Sequence, residues 1–106
     1  MITHIVMWKF LEEADGRSKK ENMALVKEKL TALRPLIPQI LSMELHEDAG
    51  VDREPYDMVL ITRFADITGL QTYQHHPDHK QVSRFVSAVR SARAVVDFES
   101  GDEART

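Results

Sequence analysis

Three of the chain's five histidines fall in one short run, Tyr73-Gln74-His75-His76-Pro77-Asp78-His79. Imidazole titrates near neutrality, so proton transfer would most naturally be carried here. Pro77 has its φ fixed near the helical value and lacks an N–H, so it reads as the first residue of a helix with His76 as N-cap. His79 then lies in the first turn, where the positive end of the helix dipole disfavours the imidazolium and lowers the pKa. A neutral histidine can accept a proton. Tyr73 stands before the break, and the change of direction at His76-Pro77 can bring a phenol toward an imidazole, as acid–base chemistry requires. The plainer alternative makes His75 and His76 solvated loop residues and Tyr73 core filling. No metal site is expected, because Asp78 is the one acidic residue fixed nearby and should point elsewhere on the helix.

The elements that position this run belong to a chain of 106 residues, 42% hydrophobic and 29% charged, which suits one globular domain. At this length a second subunit is a natural source of further burial. There is no cysteine, so disulfides, thiolate catalysis and cysteine-ligated metals are excluded. The net charge of −3, without a long basic block, makes nucleic acid a poor partner. The N-terminal residues contain neither a signal-peptide core nor a membrane span, so no membrane partner and a cytoplasmic location are expected.

Ile2 to Phe10 reads as a strand with apolar residues on both faces, and so as a central one. Asp15-Gly16 signals a turn, and Ser18-Lys19-Lys20-Glu21 has the form of a capping box opening a helix. Met23, Val26, Leu30, Leu33 and Ile37 make its apolar stripe, and Pro35 and Pro38 end it between them. Ile40 to Glu47 reads as an edge strand, with Leu41, Met43 and Leu45 inward and His46 facing water. A polar loop from Asp48 to Pro55 leads to a central strand from Tyr56 to Phe64. Asp66 caps a short helix on which Ile67, Leu70 and Tyr73 share a side. Beyond Pro77, Val82, Phe85, Val86 and Val89 form a core-facing stripe, and Ser91 to Glu99 is the last strand. Asp97, among valines, needs a partner if buried, which Arg93 or a helix N-terminus could supply, or else it faces solvent. Residues 100–106 hold no apolar anchor and read as a disordered tail to a domain spanning 1–99.

Strand, helix, strand, strand, broken helix, strand is the split βαβ order of ferredoxin-like α+β domains, with helices over one face of a four-stranded antiparallel sheet. Ile5, Met7, Val59 and Ile61 would then form an apolar patch on the other face, of the kind that marks an interface. Two sheets packed face to face would cover it.

The His4-to-Phe10 strand, Leu36-Ile37-Pro38, the Tyr56-to-Phe64 strand, the Tyr73-x-x-His76-Pro77-x-His79 run and Val96-Asp97-Phe98 together resemble the stress-responsive A/B barrel (Dabb) family. The resemblance implies a homodimeric α+β barrel. It extends to a plant polyketide cyclase of that superfamily, which implies His79 as general base and Tyr73 as a substrate-holding or oxyanion-binding hydroxyl. It also implies a pocket between helices and sheet walled by His4, Val6, Trp8, Leu60, Leu70 and Val82, with His76 beside it. Lys80, Gln81, Ser83 and Gln74 stand where the cyclase has small or apolar residues, which argues against a long alkyl ligand. Three functions follow: a dimer binding a small aromatic or apolar metabolite, a cyclase-like lyase, or a cofactor-free monooxygenase. None requires a cofactor.

Overall fold

The computed structural model describes residues 1–101. Its strands are β1 (Ile2–Phe10), β2 (Glu13–Ala14), β3 (Arg17–Ser18), β4 (Ser42–Glu47), β5 (Met58–Phe64) and β6 (Arg90–Glu99). Its helices are α1 (Lys19–Thr31), α2 (Ile67–His75) and α3 (Pro77–Val89). The main sheet is antiparallel, in the order β4-β5-β1-β6, and the two doubly apolar strands take its centre. This is the ferredoxin-like arrangement. Among the described residues no helix is long and apolar enough to cross a membrane.

Local chemistry sets each junction. Asp15 and Gly16 both have positive φ, 57° and 73°, and close a tight β2–β3 hairpin of the kind an Asp-Gly pair favours. The capping box is complete: Glu21 N–H donates to Ser18 Oγ, and Ser18 N–H donates to the Glu21 carboxylate. Asn22, fully buried beside the cap, escapes the hydrophobic pattern. Its amide donates to Ala14 C=O at 3.0 Å and its oxygen accepts from Arg17 Nε at 2.8 Å, which ties the hairpin to α1.

α1 stops at Thr31, earlier than the apolar stripe suggests. Pro35 cannot donate to a helical ladder and pushes the residue before it toward extended backbone. The chain therefore tightens into turns with Leu33 N–H on Leu30 C=O and Leu36 N–H on Leu33 C=O, yet Leu33 and Ile37 still reach the core. Leu41 and Ile67 differ from expectation in being exposed. Leu41 lies just before β4 and Ile67 opens α2, so neither is fixed by the period of the element it adjoins. His46 is exposed on the edge strand, as expected.

Asp57 stands where the Asp48–Pro55 loop rejoins the sheet. Its carboxylate accepts from Phe10 N–H at 2.7 Å and lies 3.4 Å from Lys19 Nζ. Its backbone N–H donates to Trp8 C=O at 2.8 Å, and its C=O accepts from Asp48 N–H at 3.0 Å.

The core lies between the helices and one face of the sheet, where Val6, Trp8, Leu60 and Phe64 meet Val26, Leu30, Tyr73 and Val86. On the opposite face Ile5 stands against Ile61 and Val96, and Met7 against Val59 and Ala94. Val96 and Phe98 are 54% and 46% exposed there, so the apolar patch extends across β6 beyond the four residues the sequence indicates. Ser100 N–H donates to Met1 C=O, and the Met1 ammonium donates to Ser100 C=O, each at 2.9 Å. The remainder of the expected tail, from 102, lies outside the described residues.

Candidate functional site

The break between α2 and α3 falls at His76-Pro77. His76 Nδ1 accepts from Asp78 N–H at 3.1 Å, so this histidine caps α3 in place of a serine or aspartate. Capping occupies one ring nitrogen and keeps His76 out of the cavity wall described below. The turn places the Tyr73 and His79 rings 4.3 Å apart at 51°. Tyr73 also packs on Phe64 at 5.2 Å and stands edge-on to His4 at 6.2 Å.

His79 Nδ1 lies 3.2 Å from Gln74 C=O. A carbonyl can only accept, so Nδ1 carries the hydrogen and Nε2 is left with its lone pair free. Burial is the main cause that lowers the His79 pKa below the ordinary 6.5; the positive charge of Arg93 and the neighbouring His4 and His76 act in the same direction. The direction is the one expected from the sequence, but the leading cause is desolvation rather than the helix end. Tyr73, 1% exposed, has its pKa pushed well above the tyrosine range by burial. It therefore remains a hydrogen-bond donor at any physiological pH.

His4 and Asp97 are directly opposite in the β1–β6 ladder, and His4 Nδ1 is hydrogen-bonded to the Asp97 carboxylate. Asp97 is thus exposed, as one of the two alternatives had it, and its contact is with His4, not with Arg93 or a helix end. The register supplies it, and strand pairing was not legible in the sequence. His4 is buried while the Asp97 side chain is 41% exposed, so the pair runs from the interior to the rim. In the neutral ring this leaves Nε2 as acceptor.

These groups surround a cavity of about 260 Å³ between the sheet and the helices. β1 contributes His4, Val6 and Trp8, β5 contributes Leu60, and α2 contributes Tyr73 and Gln74. His79, Val82, Ser83, Val86 and Ser87 line it from one side of α3 at helical spacing. Leu70 instead packs within the core and does not reach it. Leu30, Val86, Ser87, Arg90 and Arg93 are wall residues that sequence reasoning did not select. The α3 spacing from His79 through Ser83 and Val86 to Arg90 was a readable signal for part of that set. Arg93 depended on the β1–β6 register, which puts it opposite Trp8. Among the described residues no group of three or more histidine, aspartate or glutamate side chains could hold a metal ion.

A sequence model of the stress responsive A/B barrel domain matches residues 2–100, and the chain belongs to that family. Its fold is similar to that of a dimeric ferredoxin-like protein of unknown function from Thermobifida fusca (TM-score 0.81, 23% identity, covering 93% of this chain and 90% of that one). It is also similar to the hydroxynitrile lyase of Passiflora edulis (TM-score 0.78, 15% identity, 95% and 94% covered). A Dabb family protein with a ferredoxin-like fold from Mesorhizobium loti gives a TM-score of 0.70 at 20% identity, with 94% and 96% covered. No match was found among curated proteins.

Proposed function

We propose that the protein is a homodimer whose subunits each hold a small aromatic or otherwise apolar metabolite beneath the helices, with His79 as general base and Tyr73 as hydrogen-bond donor. The observation that carries this reading is the convergence of the Tyr73 and His79 rings, 4.3 Å apart, on one cavity. A free Nε2 on a ring whose pKa is held down by burial is a base at neutral pH. When it takes a proton from the carbon next to a carbonyl, the C–H pair becomes the C=C bond, the carbonyl π pair moves onto oxygen, and the Tyr73 hydroxyl donates to the enolate so formed. His4, held by Asp97, faces the same space as a second acceptor.

The dimer rests on the open sheet face, where Ile5, Met7, Val59, Ile61, Val96 and Phe98 share one side. An apolar sheet face of this extent is ordinarily covered. The Thermobifida relative is described as dimeric and the Passiflora relative as a lyase, which makes both roles compatible with this fold by analogy.

The test is deuterium wash-in from D₂O at the methyl group of an aryl methyl ketone. The protein should accelerate it, and His79→Ala should remove the acceleration, a loss of about 10²–10⁴-fold. Wash-in that continues unchanged in His79→Ala sinks the general-base assignment. Sedimentation should give twice the monomer mass, and a monomer at micromolar concentration sinks the dimer.

A further inference from the structure

The cavity wall carries two kinds of polar group. Tyr73, His79 and His4 gather where α3 begins. Arg90 and Arg93 enter the wall from the junction where α3 gives way to β6. The same wall therefore carries proton-transfer groups and two guanidinium groups. No carboxylate lines it, because Asp97 is turned to His4 at the rim. Among the described residues neither Arg90 nor Arg93 is in an ion pair. The Arg93 charge opposes the burial-driven rise at Tyr73 and adds to the burial-driven fall at His79, so it lies within reach of both. Ser83 and Ser87, on successive turns of α3, add hydroxyl donors along the way.

We propose that Arg90 and Arg93 form an anion subsite, and that the pocket takes a small, single-ring aromatic carboxylate with its carboxylate on the guanidinium groups and its opposite end at Tyr73 and His79. This deepens the acid–base reading given above and rests on it. Guanidinium pairs with carboxylate through two parallel hydrogen bonds; Arg90 is half-buried and Arg93 exposed, so both are open to an incoming anion. The volume of about 260 Å³ limits the guest. Drug-sized ligands occupy roughly 300–1,000 Å³, so one ring with short substituents fits where an extended chain does not. Val6, Trp8, Leu60 and Val82 supply apolar wall for the ring.

The test compares 4-hydroxybenzoate with 4-hydroxybenzamide, which keeps the ring and removes the charge. Calorimetric titration of the full chain should give the carboxylate an affinity at least about tenfold higher, as expected for hydrogen bonds to a charged group. An Arg90→Met, Arg93→Met double variant should bring the ratio near one. Arg93→Lys, which keeps the charge and loses the fork, should retain an intermediate preference. NMR titration of His79 supplies a second readout. The carboxylate offsets the Arg93 charge, so it should leave the His79 pKa higher than the amide does.

Equal affinity for the two probes, or a preference that survives in the double variant, overturns the proposal. So does displacement of 4-hydroxybenzoate by millimolar inorganic phosphate, which would assign the subsite to phosphate instead. Failure of both probes to bind overturns it as well. A neutral aryl methyl ketone then separates the two claims: if it still shifts the His79 and Tyr73 resonances, the acid–base pocket stands and only the anion subsite falls.

Discussion

The two faces of the sheet are built from the same strands and hold different chemistry. Toward the helices, β1 presents Ile2, His4, Val6, Trp8 and Phe10, all buried, and the single histidine among them is paired with a carboxylate and borders a cavity. Toward the open side, the same strand presents Ile5 and Met7 beside Val59, Ile61, Val96 and Phe98, without a histidine on β1, β5 or β6. A strand's period of two allows this separation: alternate residues can answer to unrelated demands. One face keeps a space and places polar groups around it. The other is an apolar patch across β5, β1 and β6, flanked on β4 and β5 by Glu44, His46 and Arg63.

That contrast can be broken from either side. Phe64→Ala should have the largest effect, because Phe64 is fully buried under Tyr73 on the helix side. A loss of about 4 kcal/mol, measured by urea denaturation, is expected and should not depend on protein concentration. Phe98→Asp acts on the open face and should weaken the dimer by about 2 kcal/mol. Sedimentation at several concentrations would reveal it, with little change in secondary structure by circular dichroism. Equal concentration dependence in the two variants would erase the distinction between the faces.

Ser18→Ala touches neither face. Loss of the capping hydroxyl should cost about 1 kcal/mol in thermal or chemical denaturation and leave both ligand affinity and subunit mass unchanged. The smallest effect concerns pH. The folded state holds His79 below its ordinary 6.5, so above that value both states carry a neutral ring and the group contributes no slope. On acidification the unfolded chain binds the proton first, and stability falls between 6.5 and the lower folded value. His79→Gln should remove that slope from a series of denaturation curves; an unchanged slope would show that His79 titrates in the folded state as it does in the open chain.

Much of this was legible in the sequence because the local signals agree. The Ser18–Glu21 box, the Asp15-Gly16 turn, Asp66 and the His76-Pro77 break each specify a junction by chemistry confined to a few residues. The double apolarity of Ile2–Phe10 and Met58–Phe64 places them at the centre of the sheet. What was not legible depends on register and depth. Asp97 finds His4 across a separation of 93 residues, and Asn22 is buried by a hairpin folding over it. The place of Arg93 in the cavity wall was hidden for the same reason, since it comes from standing across from Trp8. His76 was drawn toward the pocket by its neighbours in sequence, whereas the backbone N–H of Asp78 claims its ring nitrogen.

Asp57 gathers the end of β1, the start of α1 and the mouth of the long polar loop around one side chain. Everything between Asp48 and Pro55 therefore hangs from a clamp that fixes strand alignment without its help. That stretch is a natural graft point for a short epitope or a fluorophore-bearing insert. Doubling its length should cost only about 0.6 kcal/mol in closure entropy, measurable as a slight drop in melting temperature.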